Sequence, residues 1–390
     1  MEVKSTMYHT LMRVLSQVET WLDVRHMKTL CWMVVGLIES EKIGITSWIP
    51  FAEVRAQMAQ SVQRRFVRWL ENERIEVNQL YGPLIQNALR EWGMSTLYLA
   101  FDTSQLWDKY CIMRLAIVYR GRAIPLIWKV IEHGSSSVAL AEYKPLLEEA
   151  AKLLPLYVSG RIIFLADRGF ADTELMRLLS ETLHWHWHIR IKSCFKVYRP
   201  KRAACQISRC APKAGEAQFW HSIRITDERF GPVHLAMAHI CETKERWYVL
   251  SSVPTSLKTF DEYGLRFDIE ENFLDDKSNG FQLEASLLRS AHALTRLCFV
   301  LAVATLFLVC QGVEVQRQGK RRWVDPHWFR GNSYFRIGWN WLKHARTKGW
   351  DLLSSLVLDP TPDPEPAIAS RSSFFALPSI RLHISFHKFA

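Results

Sequence analysis

No two cysteines in this chain are spaced as CxxC. The eight stand at 31, 111, 194, 205, 210, 241, 298 and 310, mostly inside apolar runs. Only Cys205 and Cys210 approach a metal-ligand spacing, and without a second pair they make no zinc site. Reduced, buried thiols and a cytoplasmic protein are therefore expected. Long apolar runs are missing too. The longest, Leu297–Cys310, has fourteen residues, too few to span a bilayer comfortably and suited to a buried core helix, so no membrane role is expected. The opening segment MEVKSTMYHTLM has no apolar signal core, and no internal repeat is visible. Acidic residues are in deficit: Asp and Glu number 39 against 50 Lys and Arg. The net charge of +11 and a pI near 9.3 predict attraction to polyanions.

What is present is enough for two or three packed domains: 390 residues, 48% of them hydrophobic. The positive charge is uneven. Residues 1–100 carry 11 basic and 10 acidic side chains, 168–262 carry 15 and 10, and 281–359 carry 11 and 5.

Residues 1–92 read as a helical, DNA-binding region, because LMRVLSQVETWLDV, KTLCWMVVGLIESE and SVQRRFVRWLENE space apolar residues by three and four. Within the last of these, Arg64, Arg65 and Arg68 fall within about one turn. They suit either DNA contact or a solvated helix face. From 93 the pattern changes. LYLAFD, YCIMRLAIVY and AIPLIWKVIE predict three strands joined by short turns, followed by a helix over VALAEYKPLLEEAAKLL, a strand at RIIFLAD and a helix at TELMRLLSETL. This βββαβα order is that of a ribonuclease H-like α/β core, with its first part at 93–184. A β-rich insertion is expected at 185–262 and a helical completion of the core and C-terminal region at 263–358. A proline-rich linker and weakly ordered tail are expected at 359–390.

Three acidic residues stand out. Asp102 ends the apolar strand LYLAFDTS, Asp167 follows RIIFLAD, and Glu270 lies in YGLRFDIEENFLDDK. Such places serve stability poorly and divalent cations well. Hard carboxylate oxygens suit magnesium, which takes one or two carboxylates, waters and a substrate phosphate. Two such ions clamp the attacking and leaving oxygens of a phosphodiester. A helical crossover makes the fourth strand parallel to an earlier one. If that partner is the first strand, Asp102 and Asp167 emerge together. On one helix from Tyr263 to Lys277, the residues Tyr263, Arg266, Glu270 and Lys277 share a sector of about 60° along about 21 Å. Glu271 points about 100° away from Glu270. A metal ligand amid phosphate-binding groups is the reading that stripe supports.

The spacing Tyr-x2-Arg-x3-Glu-x6-Lys resembles the YREK signature of the DDE transposases of bacterial insertion sequences, the family numbered four. LAFDT and FLADRGF resemble that family's first and second aspartate motifs. The likeness runs over about 95–345, including WFRGNSYFRIGWNWLKHA, and before residue 90 only through QRRFVRWLENERI. It implies cut-and-paste transposition by Asp102, Asp167 and Glu270 with two Mg2+ ions, Mn2+ being expected to substitute. The implied partners are double-stranded DNA, as terminal inverted repeats and as target, and a second copy of the chain in the synapse. Tyr263, Arg266 and Lys277 would grip phosphates near the transposon end. A hairpin intermediate in relatives with a β insertion requires a base to leave the stack, at a few kcal/mol, and stacking on an aromatic returns about 1–3 kcal/mol. Trp247 resembles the family's stacking tryptophan, and Phe267 is expected to be the wedge.

Other signals weigh less. His184, His186 and His188 alternate on one strand face and are expected to be partly exposed rather than zinc ligands. QRQGKRR (316–322) suits non-specific phosphate contact. Asp108, Asp172 and Asp268 are expected in turns, on the surface or at helix starts. Two alternatives keep the fold: a domesticated nuclease no longer mobile, and a silent regulator that binds DNA ends.

Overall fold

The computed structural model describes residues 6–367, apart from 18–20, 22, 55, 94, 156–157, 159–161, 201, 241–244, 279 and 353–355, together with the backbone of 383–388. Cys241 and most of the tail lie outside the described residues.

Helices come first: α1 (Thr6–Ser16), α2 (Val24–Ser40), the single turn α3 (Ile45–Trp48), α4 (Ala59–Glu71) and α5 (Val77–Ala88). Then follow β1 (Leu97–Leu106), β2 (Tyr110–Tyr119), β3 (Arg122–Glu132), α6 (Leu140–Leu153), β4 (Ile162–Ala166), α7 (Thr173–Arg177) and β5 (His186–Arg190). A second strand group, β6 (Lys196–Tyr198), β7 (Cys205–Gln206), β8 (Glu216–Ile225), β9 (Phe230–His239) and β10 (Arg246–Ser251), precedes α8 (Leu257–Gly264) and α9 (Phe267–Lys277). The long α10 (Ala291–Arg317), α11 (Tyr334–Lys348) and β11 (His383–Lys388) complete the described elements.

The strands form one mixed sheet in the order β3-β2-β1-β4-β5-β10-β9-β8-β6-β7, with β11 pairing β8. Its first five strands fit a ribonuclease H-like fold. β1 and β2 are antiparallel, as are β2 and β3, whereas β1–β4 and β4–β5 are parallel. The β2–β3 hairpin closes through Arg120 and Gly121, both at positive φ (48° and 79°), the two-residue turn whose twist matches paired strands. Trp107 and Asp108 likewise take positive φ between β1 and β2, and Asp108 is exposed there.

Two features differ from the sequence expectation. His186–Arg190, placed at the head of the insertion, pairs in parallel with β4 as a fifth core strand. The strands after it extend the same sheet through β5–β10 pairing. Alternating apolar residues mark strands but carry no register, so neither junction is visible in the sequence.

Helices cover both sheet faces around β1. On one, Phe101 packs against Tyr143 of α6 and against Phe170, each with ring centroids 5.0 Å apart. On the other lie α8 and α9. α10 holds the run Leu297–Cys310 and is long and apolar enough to cross a membrane, yet 94% of its most apolar window is buried inside the protein. It packs on α11, β3, α2, α4 and α5. In the proline-rich segment, Asp359 meets Arg120 at 3.0 Å, and Asp363 accepts from Arg330 at 2.7 Å and from the Tyr334 hydroxyl at 2.6 Å.

Candidate active site

Paired residues in neighbouring strands point to the same face of a sheet. β1 runs beside β4 through the pair Phe101–Ala166, so the next residues, Asp102 and Asp167, stand side by side; Asp167 follows the end of β4, but Asp102 lies midway along β1 rather than at its end as expected. The same row continues through β5, where Leu165 pairs with His188 and Arg190, two residues on, sits next to Asp167. α9 brings the third carboxylate over this row. Arg266 Nη2 donates to Glu270 Oε1 at 2.6 Å, and Nη1 reaches Asp102 Oδ2 at 3.5 Å. The guanidinium is 5% exposed and the Glu270 side chain 49% exposed. Asp102 also accepts from the Thr103 backbone N–H at 2.8 Å. Burial pushes the Asp102 carboxyl up to about 6; the Thr103 N–H and Arg266 oppose that, while Glu270 and Asp167 add to it.

Tyr263, Trp247 and Phe267 form the wall beside these acids. The Tyr263 ring is fully buried against Ala217, Phe219, Ala236, Ala238 and Val249. Trp247 lies edge-on to Tyr263 at 5.6 Å and 6.2 Å from Phe267, whose ring has the Arg266 guanidinium 4.7 Å from its centroid. Burial raises the Tyr263 hydroxyl to about 12, with Arg266, Asp167 and Arg190 acting on it electrostatically. Phe267 is exposed, at 37%.

The single helix expected from Tyr263 to Lys277 is two helices. α8 ends at Gly264 and α9 begins at Phe267, with Leu265 and Arg266 in the turn between them. Arg266 and Glu270 still meet across one turn. Lys277 is drawn away instead: its Nζ donates to the Gln105 carbonyl at 2.6 Å, three residues past Asp102, or about 10 Å along β1.

Sequence reading missed what anchors α8. Glu262 Oε1 accepts from the Tyr98 hydroxyl at 2.8 Å, Glu262 Oε2 lies 3.0 Å from His188 Nε2, and Lys258 lies 3.0 Å away. Burial pushes Glu262 up, but the bonds from His188, Tyr98 and Lys258 outweigh it and bring it down to about 2. His188 is therefore buried, not partly exposed as the HWHWH pattern suggested. Arg190 was missed as well. It is tied to Glu245 at 2.8 Å and to the Arg246 carbonyl at 3.2 Å, with its guanidinium 5.8 Å from the Trp247 ring centroid. The clue was its period-two spacing from His186 and His188 on an otherwise apolar strand.

Arg64, Arg65 and Arg68 are exposed on α4. Arg65 and Arg68 line a cleft of about 260 Å3 with Arg25, His26 and Trp69; Arg64 is outside it. A cleft of about 650 Å3 between α5, β3, α6 and α10 holds none of the acids above. Asp172 caps α7 by accepting from Glu174 N at 2.8 Å, and Asp268 lies in the first turn of α9, the helix-start places expected for them.

Arg266 thus joins Asp102 to Glu270 on the sheet face where Asp167 and Arg190 lie next in register, and the site is open on the Glu270 side. Among the described residues, no three His, Cys, Asp or Glu side chains already stand in a metal-binding group; Glu270 meets Arg266 instead. The donor set nevertheless suits a hard cation. The atoms these acids offer are carboxylate oxygens, and a positive group already bridges Asp102 and Glu270.

No curated protein matches the chain. The family described as the transposase DDE domain matches residues 101–307, from the residue before Asp102 through most of α10 and over more than half the chain. The protein belongs to the DDE-domain transposases, enzymes that cut and join DNA.

Proposed function

We propose that this transposase excises and inserts its own insertion sequence, in the manner of the insertion-sequence family numbered four, with Asp102, Asp167 and Glu270 as its metal ligands. The observation that supports this reading is that Arg266 joins Asp102 to Glu270 while Asp167 follows the β4 residue paired with Phe101, next to Asp102 in register. Two Mg2+ ions, with Mn2+ as substitute, would be held there and supply activation of the attacking oxygen and neutralisation of the leaving one. The chain's own groups do the rest. Desolvation of Asp102 makes its charge costly without a counter-ion, so the site favours cations over a bare carboxylate pair. Arg266 and Arg190 border the acids and bind phosphates of the transposon end, with Tyr263 packing between them. Lys277 takes a phosphate farther along β1. In this reading water would cleave the first phosphodiester and free the transposon 3′-hydroxyl, which would then displace the flanking strand's 3′-oxygen from the opposite-strand phosphate to leave a hairpin. Trp247 stacks the displaced base and Phe267, exposed beside it, fills the gap. Arg64, Arg65 and Arg68, with Arg25, contact flanking duplex, and two chains join two terminal inverted repeats in the synapse.

The test is to incubate the protein with DNA bearing the gene's own flanking ends, with and without magnesium, beside Asp167→Ala. Denaturing gels should show magnesium-dependent nicks and hairpins that the variant loses. Nicks and joined products without hairpins would remove the hairpin route and the role of Trp247. Binding without cleavage under any divalent metal would overturn the proposal in favour of a silent regulator.

A further inference from the structure

A second basic surface lies past the end of α10. Gly319, at φ 69°, ends the helix, and the tight turn Arg321–Trp323 then sorts its side chains. Arg321 turns inward, 3% exposed, and pairs with Asp325 and Glu365. Trp323 turns outward and is 54% exposed, a poor place for an indole that serves only the core.

Trp323 does not stand alone. Its ring is 5.1 Å from Trp350 and 6.2 Å from Trp341, and Trp341 and Trp350 stack at 4.5 Å with 27° between planes. His344 continues the ladder, stacked on Trp350 at 5.7 Å. Two ammonium groups edge the rings. Lys320 Nζ lies 5.6 Å from the centroids of both Trp323 and Trp341, and Lys348 Nζ lies 4.8 Å from that of Trp350. Neither is within ion-pair distance of an acidic group among the described residues, and 281–359 as a whole has 11 basic against 5 acidic side chains.

We propose that this surface binds unpaired DNA, one base stacking on Trp323 while Lys320 and Lys348 contact the neighbouring phosphates. Indole faces rimmed by uncompensated cations fit a strand that offers π-faces and phosphates in alternation, the arrangement by which single strands are held without sequence preference. A second copy of the chain would set basic surface against basic surface. The proposal uses only the chain's membership of a DNA-cutting family, not the assignment of the carboxylate site.

The test uses the full chain carrying Asp167→Ala, with chelator present so that cleavage plays no part, and a labelled oligothymidine read by fluorescence anisotropy over a salt series. Trp323→Ala should weaken binding about tenfold or more, whereas Trp323→Phe should keep most of it, because any aromatic face stacks a base. Lys320→Ala and Lys348→Ala should each flatten the log–log salt dependence by about 0.7. A duplex of the same length should lose little affinity with Trp323→Ala. Unchanged oligothymidine binding by Trp323→Ala, or equal damage from Phe and Ala, would overturn the proposal. So would polyglutamate binding as tight and as sensitive to Trp323→Ala, which would identify an acidic protein as the partner. An unchanged melting temperature for Trp323→Ala shows that any loss is not a folding defect. Because chelator excludes cleavage, the outcome is separate from that of the carboxylate site.

Discussion

α9 carries two sets of charges, and they are built on opposite plans. Where the helix begins, Arg266 lies between Asp102 and Glu270, Asp167 stands next to Asp102 in the strand register, and Glu270 is half exposed. One to two turns later, Arg114 on β2 meets Asp276 at 2.6 Å and donates to Asn272 at 2.7 Å, with both charged side chains at 2% exposure or less. The Phe273 ring covers the guanidinium, its centroid 4.7 Å away. Arg114 is even the cross-strand partner of Asp102 in the β1–β2 register, yet its ion pair is with Asp276. A balanced, dry set of charges holds a helix to a sheet. An unbalanced, half-open set has charge left to offer a ligand. Counting charges against neighbours thus separates scaffold from site on a single helix.

Breaking the dry set should have the largest effect on stability. Arg114→Met leaves Asp276 buried without a counter-ion and should lower the unfolding free energy by about 3–5 kcal/mol in urea titrations. Adding Asp276→Leu should restore most of it. A cost below about 1 kcal/mol for the single change would mean that Asp276 does not depend on Arg114.

Glu262 tests the α8 side. Glu262→Gln should cost about 2 kcal/mol at pH 7, the worth of hydrogen bonds to a charged group. Because the folded carboxyl sits near 2, below its unfolded range near about 4.3, its contribution is complete above that range. The contribution fades as pH falls from there towards 2. The gap between wild type and variant should therefore close in acid; a gap that persisted at pH 2 would assign the loss to packing.

The smallest effect on stability is expected at the open set. Arg266→Gln should cost less stability than Arg114→Met, because the Glu270 left behind is half exposed to water, while affinity for transposon-end DNA falls and its salt dependence flattens by about one unit. A larger stability loss with unchanged DNA binding would make Arg266 a scaffold residue like Arg114.

Much of this was legible beforehand. Apolar runs reaching an aspartate drew attention to Asp102 and Asp167, and the rule that a helical crossover makes strands parallel predicted the pairing of β1 with β4. Helical spacing paired Arg266 with Glu270. The rest depends on tertiary contacts. The turn at Leu265 and Arg266 is announced only by Gly264, which a helix interior also tolerates, and it is this break that leaves Lys277 on Gln105 rather than on the acids. Arg114 sits in YCIMRLAIVY, ten buried residues with one cation. Such a strand demands a buried anion, but nothing local says that Asp276, far along the chain, provides it. The Glu262–His188–Tyr98 cluster joins three elements and has no sequence spacing at all.

The central claim is that the unbalanced carboxylates, and not the balanced ones, take divalent cations. Mn2+ binding to the full chain with transposon-end DNA, followed by electron paramagnetic resonance, tests it directly. The account predicts binding that is lost in Asp102→Asn and in Asp167→Asn but retained in Asp275→Asn, whose carboxylate pairs with Arg122 at 3.0 Å on the scaffold side of α9. Binding that survives both site variants, or that falls equally in all three, would contradict it.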